Sequence, residues 1–323
     1  MLIVQKFGGS SLADLERLRR AAGICAEVRR RGNDLVVVVS AAGDSTDTLL
    51  ETARKIHPHP PARELDALMA TGEQRSAALM AIMLESLGQP ARSFSGWQAG
   101  IHTDATHGEA AILRIEPERL IRALERGQIA VTAGFQGLSP EEDVTTLGRG
   151  GSDTTAVALA VALQADRCEI YTDVDGICTA DPRLLPDARL LREIDFRDML
   201  RLAEAGSQVL HPGSVRLAMK AGLELHLLSS FRPGAGSVVR ALEEETRLPL
   251  AGVTRDEAKG SVTLVGRAAD EALLQRLATR LEHSGIPVRG GETGEGCATL
   301  TVAPAQLLQA LELCHREVLA SQE

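Results

Sequence analysis

Apolar residues recur along this chain in two rhythms. Short continuous runs at residues 2–5, 35–40 (LVVVVS), 128–133 (QIAVTA), 168–172 and 223–229 are too brief for helices and rich in branched residues. They predict strands buried on both faces, as in a parallel sheet. Between them the spacing turns helical. Leu15, Leu18, Ala22 and Cys25 mark a helix over residues 12–31, and further helices are expected at 196–205 and 212–221. Residues 63–87 carry Leu65, Leu68 and Met69, then Ala77, Leu79, Met80, Ile82 and Met83, with Thr71-Gly72-Glu73-Gln74 between. A glycine inside a helix costs roughly 1 kcal/mol, so a break or a helix start is expected near Gly72. Residues 145–165 begin as a loop with Gly148, Gly150 and Gly151 and end as a helix. Its Ala156, Val157, Leu159, Ala160 and Leu163 leave almost no polar face, which predicts burial. Ser152 or Asp153 suits its N-cap. Strands alternating with helices over about 240 residues predict one three-layer α/β domain.

The pattern changes after residues 233–236, and an acidic run at 243–245 marks a linker. We expect one domain over residues 1–240 and a second over 247–323. In the second, strands are expected at 250–254, 261–265, 287–289 and 298–302, with helices at 270–283 and 304–319. Strand, helix, strand, strand, helix is a ferredoxin-like unit lacking its last strand, a slot that residues 250–254 can fill from the front.

Composition narrows the function. The net charge of -9 over 323 residues argues against nucleic acid or an anionic membrane as partner. No apolar run reaches the ~20 residues of a membrane span. The start reads as a strand entering a loop, not as a signal peptide. Five scattered cysteines without CxxC spacing fit reduced thiols, so a cytoplasmic location is expected. Aromatics are 2% of the chain, which leaves Ala, Leu and Val to build the core.

Chemistry concentrates where strands meet loops. Residues 2–5 run into Lys6-Phe7-Gly8-Gly9-Ser10-Ser11, the strand, glycine loop and helix order that places backbone amides around a phosphate. It is not the P-loop, because GxxxxGK[ST] is absent. Lys6 is one of only four lysines among 35 basic residues, and at a strand end beside two glycines it suggests that a compact point charge is wanted there; a solvated lysine at a strand terminus is the other reading. Residues 41–47 form a loop dense in hydroxyls and carboxylates at a strand's carboxyl end, where open α/β sheets put their sites. Glu73, at a helix N-terminus, is placed to meet an ammonium group; an ordinary helix-start glutamate is the other reading. Arg149 offers a bidentate fork for a carboxylate or phosphate. Asp173, Asp175 and Asp181 read as turn chemistry ahead of Mg²⁺ ligation. His211 reads as structural.

KFGGSS, VVSAAGDSTD, ATGE, AGFQG, TTLGRGGSDTTAVALA, YTDVDGICTADPR and VLHPGSV, in that order, resemble aspartokinase of the amino-acid-kinase family. The resemblance covers residues 1 to about 239. It implies the three-layer α/β/α amino-acid-kinase fold and transfer of phosphate from ATP, with Mg²⁺, to the side-chain carboxylate of L-aspartate. By the same resemblance Lys6 neutralises the transferring phosphate, Gly8, Gly9 and Ser10 wrap the phosphates, and Asp153 orients the cations. Ser40, Thr46, Glu73 and Arg149 hold aspartate. Thr172, Asp173, Cys178 and Arg183 form the nucleotide site, joined by Gln208, where the family often has a lysine. The tail resembles a single ACT domain, with the LAGVT strand followed directly by SVTLVG where regulated members insert a second one. That implies weak or absent inhibition by lysine and threonine, and a homodimer paired through the ACT-like domain. A non-catalytic amino-acid or nucleotide sensor, or a kinase for another small carboxylate, are the alternatives.

Overall fold

The structure is a computed structural model that describes residues 1–322. By compactness the chain forms two units, one of residues 1–175 with 223–234, the other of 176–222 with 235–323. The chain thus leaves the first unit, returns for one strand, and leaves again.

The first unit begins with β1 (Leu2–Phe7), α1 (Leu15–Arg30), β2 (Asp34–Val39), α2 (Ser45–Ile56) and α3 (Ala62–Ser86). Next come β3 (Ala91–Phe94), β4 (Ile101–Thr103), β5 (Ile112–Ile115), α4 (Glu118–Glu125), β6 (Ile129–Ala133), β7 (Gln136–Leu138) and β8 (Val144–Thr146). Then follow α5 (Gly151–Ala162) and β9 (Arg167–Thr172). After β10 (Glu193–Asp195), α6 (Phe196–Glu204) and α7 (Pro212–Ala221) in the second unit, β11 (Leu225–Ser229) returns. In the first unit β11-β9-β1-β2-β6-β3 pair in that order, every pair parallel. The all-apolar runs are buried as their composition predicts: Leu35 through Val39 are fully inaccessible. Ile3, Phe7, Leu35, Val37, Val39, Ile129 and Val131 pack with Leu18, Ala22 and Cys25 of α1 and Met80 and Leu84 of α3. The opposite face carries α5, whose Ala156, Val157, Leu159 and Ala160 are fully buried.

A second sheet, β5-β4-β7-β8, was not expected. Its strands have three or four residues, too few to show a period. The 12-residue α2 takes in residues 45–47, expected as loop, because Ser45, Thr46 and Asp47 fill its first turn with hydroxyls and a carboxylate.

The expected break near Gly72 does not exist. α3 is one continuous helix of 25 residues, and Gly72 lies inside it. A Cβ on Gly72 would sit 2.9 Å from the Cβ of Ala41, so the glycine marks a close approach to the loop after β2.

In the second unit β10 pairs parallel with β12 (Ser237–Arg240). The remainder is β13 (Gly252–Asp256), β14 (Ser261–Val265), α8 (Glu271–His283), β15 (Gly290–Gly294), β16 (Cys297–Thr301) and α9 (Leu307–Ala320). The antiparallel order β13-β14-β16-β15 is ferredoxin-like, and β13 takes the edge place of the absent last strand. Strand β15 lies three residues beyond the expected 287–289. Its sequence, GGETG, is exposed throughout and carries no apolar signal, so pairing with β16 alone defines it.

Candidate functional site

Three loops in the first unit converge at the carboxyl ends of neighbouring strands. The Ser40 N–H donates to the Phe7 carbonyl at 3.1 Å, Gly43 N–H to Gly9 at 3.0 Å, and Gly8 N–H to Tyr171 at 3.4 Å. The loops after β1, β2 and β9 are thereby stitched to one another. Gly9 admits no side chain, because its Cβ would lie 2.6 Å from the Ala41 carbonyl oxygen. Gly9–Leu12 is a short 3-10 turn that presents Ser10, while the Ser11 hydroxyl is used within the fold on Ser230 at 2.7 Å.

Lys6, next to last in β1, points away from Phe7 and toward α5. Its Nζ is 2.6 Å from Oδ1 of Asp153, with side-chain exposures of 12% and 13%. A sheltered ammonium and carboxylate beside a glycine loop hold fixed charge where phosphate oxygens approach.

Asp153 is neither an N-cap nor beside one. The cap of α5 is Gly150, left-handed at φ 69°, with no side chain accepting from the first turn; Ser152 and Asp153 lie inside the helix. This corrects the expected cap. The Gly151 N–H donates to the Gly148 carbonyl at 3.1 Å, and the Ser152 and Asp153 amides of the same first turn point in the direction that suits an anion. Gly151 is packed against Phe135 and Leu147, and the Phe135 N–H donates to Thr155 Oγ1 at 3.0 Å, which locks the helix entry. Arg149, at the exposed tip of this loop, has no carboxylate partner among the described residues.

Glu73 sits in the interior of α3 and not at a helix start, yet it does face the loop after β2. It is 4% exposed; Oε1 accepts the Ala41 N–H at 3.0 Å, and Oε2 is buried without a partner. Burial, only partly opposed by the Ala41 amide, pushes its carboxyl up to about 7. Ser40 begins the same loop and Thr46 lies in the first turn of α2, both half-buried. At the end of β9 the Thr172 hydroxyl donates to Asp173 Oδ1 at 3.1 Å.

One positioning group escaped the sequence reading. Asp66, 2% exposed on α3, accepts from the Thr146 hydroxyl at 2.6 Å, from the Gly108 amide at 3.1 Å and bonds His107 Nδ1 at 2.8 Å. It fastens β8 and the 107–108 turn, and the Gly108 carbonyl in turn abuts Gly148. A single Asp between Leu65 and Ala67 in a helix gives no sign of its distant partners.

Cys178, Arg183 and Gln208 belong to the second unit. Cys178 bridges to Leu190. Arg183 Nη2 lies 2.8 Å from Asp181 Oδ2, which holds the Asp181 carboxyl below its ordinary value. Gln208 is exposed between α6 and α7. His211 caps α7, its Nδ1 accepting the Gly213 N–H at 3.2 Å. Among the described residues no group of three His, Cys, Asp or Glu side chains is placed to hold a metal alone.

A central parallel sheet with glycine loops and fixed charge at its carboxyl edge matches a known class. The profile of the amino acid kinase family matches residues 1–229, and the chain belongs to that family. Among its relatives are aspartokinases. That of Mycolicibacterium smegmatis is 52% identical over 269 residues, covering 82% of this chain and 64% of the relative. That of Thermus thermophilus is 46% identical over 287 residues, covering 89% and 71%. The chain thus spans just under two thirds of the length of the mycobacterial relative. Among solved structures, aspartate kinase from Synechocystis is 39% identical with a TM-score of 0.68, covering 97% of this chain and 54% of that one. E. coli aspartokinase III in complex with aspartate and ADP is 25% identical with a TM-score of 0.71, covering 97% and 84%.

Proposed function

We propose that this chain transfers the γ-phosphoryl group of ATP to the side-chain carboxylate of L-aspartate, giving 4-phospho-L-aspartate. The observation that carries this reading is the sheltered Lys6–Asp153 pair beside the Gly8-Gly9 loop. The aspartokinase relatives, one solved with aspartate and ADP, support it.

The acceptor is already an anion, so no general base is required. The protein's work is in-line positioning and charge compensation. Lys6 faces the transferring phosphoryl group, and the Gly8, Gly9 and Ser10 backbone wraps phosphate oxygens. Thr172, Asp173, Cys178, Arg183 and Gln208 bind the nucleotide. Glu73 takes the aspartate ammonium, Arg149 one carboxylate, and Ser40 and Thr46 supply hydroxyls. Glu73 suits its role chemically, since its unpaired buried Oε2 gains a cationic partner only when substrate arrives.

Mg²⁺ fits a site of this composition. The ion takes one or two carboxylates and fills its shell with phosphate oxygens and water, and Asp153 is the carboxylate that would orient it. When bound it neutralises charge developing on the phosphates.

We assign catalysis to residues 1–240 and an ACT-like role to 247–323, and place the protein in the cytoplasm as a homodimer. The exposed β15 edge supports pairing between subunits. β13 and β14 are joined by a short turn with no second module between them, which supports weak or absent feedback by lysine and threonine. The test is ATP turnover with aspartate and Mg²⁺, trapping the acyl phosphate with hydroxylamine. Wild type forms aspartyl hydroxamate and Lys6→Ala forms it about 10²–10³-fold more slowly. Wild type that binds both ligands and forms none would overturn the assignment in favour of a sensor.

A further inference from the structure

The segment carrying Cys178 and Arg183 is built into the core of the ferredoxin-like module. Ala180 and Leu185 pack in one buried cluster with Leu264 of β14, Leu277 of α8 and Leu311 of α9. Thr179 is the centre of the attachment and is fully buried. Its N–H donates to the Arg189 carbonyl at 2.9 Å, and its carbonyl accepts the Val253 N–H of β13 at 2.8 Å. Its hydroxyl accepts the Arg189 N–H at 3.0 Å and meets Nε2 of His315, on α9, at 2.8 Å.

The roles in this chain are set by its neighbours. His315 is 1% exposed, and burial moves its pKa below the ordinary value, with the Asp187 carboxylate opposing and Arg189 reinforcing. The ring is therefore neutral near pH 7. Its Nδ1 lies 3.5 Å from Asp187 Oδ1, which assigns the ring proton there and leaves Nε2 as acceptor. The hydrogen bonds then run in one direction, from the Arg189 amide to the Thr179 hydroxyl to His315, whose Nδ1 faces the Asp187 carboxylate. The Thr, His, Asp order resembles a nucleophilic triad, but a fully buried hydroxyl meets no substrate.

We propose that His315 is a positioning residue for the nucleotide: through Thr179 it fixes the 177–183 segment, so that the C-terminal helix sets ATP affinity. This rests on the assignment of Cys178 and Arg183 to the nucleotide site. Whatever shifts α9 then changes nucleotide binding while the aspartate groups Glu73 and Arg149 stay untouched.

The experiment compares Thr179→Val and His315→Leu, which remove the bond, with Thr179→Ser and His315→Gln, which keep a hydroxyl and an acceptor. The first pair raises KM for ATP and the calorimetric Kd for ADP about tenfold, with kcat and the aspartate KM within about twofold. It also speeds hydrogen exchange of the 177–190 amides, and the second pair restores all three readouts. Unchanged ADP affinity overturns the proposal. So does a loss of active fraction and Tm with KM unmoved, the signature of a merely structural role. If wild type turns over no aspartate, the kinase reading fails, while ADP calorimetry and exchange still decide the joint. Wild type that binds no ADP overturns both.

Discussion

Replacing Glu73 by glutamine isolates what its burial costs the free enzyme. A carboxyl pushed up to about 7 from 4.5 holds its proton more tightly folded than unfolded. Stability is therefore greatest below the unfolded value and is lost as pH rises through 4.5 toward 7. With those two values, the penalty accumulated between pH 5 and pH 8 integrates to about 2.5 kcal/mol. Glutamine keeps an acceptor toward the Ala41 N–H but leaves a buried amide unpaired, an offset of about 1–3 kcal/mol that is the same at both pH values. The readout is thus a difference of differences. Urea denaturation at pH 5 and pH 8 should show the variant gaining about 2.5 kcal/mol relative to wild type across that interval. A gain below about 0.5 kcal/mol, or a change of sign, refutes the reasoning, because it means the carboxylate is solvated or paired when ionised. The same group ties stability to function. Docking the aspartate ammonium against Glu73 ionises it, so binding near pH 7 releases about half a proton. Calorimetry in two buffers of different ionisation enthalpy reads that proton in wild type and none in Glu73→Gln.

Other perturbations separate the remaining parts of the site. Lys6→Ala leaves Asp153 unpaired and should lower kcat by about 10²–10³-fold in the hydroxamate assay, with Lys6→Arg recovering little because a planar fork does not fit a point-charge site. Gly72→Ala gains about 1 kcal/mol of helix propensity but forces a Cβ to within 2.9 Å of Ala41, so urea unfolding should show a net loss. Gly150→Ala places a side chain at φ 69°, costing about 1–2 kcal/mol and raising the aspartate KM through the displaced Arg149 loop. Lysine and threonine added to the assay should leave the rate unchanged, and inhibition at physiological levels would remove the weak-feedback reading.

How much of this was legible beforehand depended on whether a signal was local. The buried strands β1, β2, β6 and β9 and the helix α5 announced themselves, because burial on all sides demands an unbroken apolar run and such a run is visible in the chain. The glycine loops after β1 and before α5 were legible for the same reason: a backbone that must approach an anion or another loop excludes side chains. The candidate residues could therefore be named from the chain, while their settings could not. Glu73 read as a helix start because a glycine precedes it; only the packing of Ala41 against Gly72 turns that glycine into a contact inside a continuous helix. The cap of α5 fell to Gly150 because Ser152 was already committed to packing beside Gly134 and Asp153 to Lys6. The Lys6–Asp153 pair joins residues 147 positions apart (153 − 6), and the Thr179–His315 bond joins residues 136 apart. Composition and periodicity report what a residue needs from its immediate neighbours. Which distant partner satisfies a buried charge or hydroxyl is decided when the sheet and helices bring them within hydrogen-bond range, and that is information the tertiary structure alone holds.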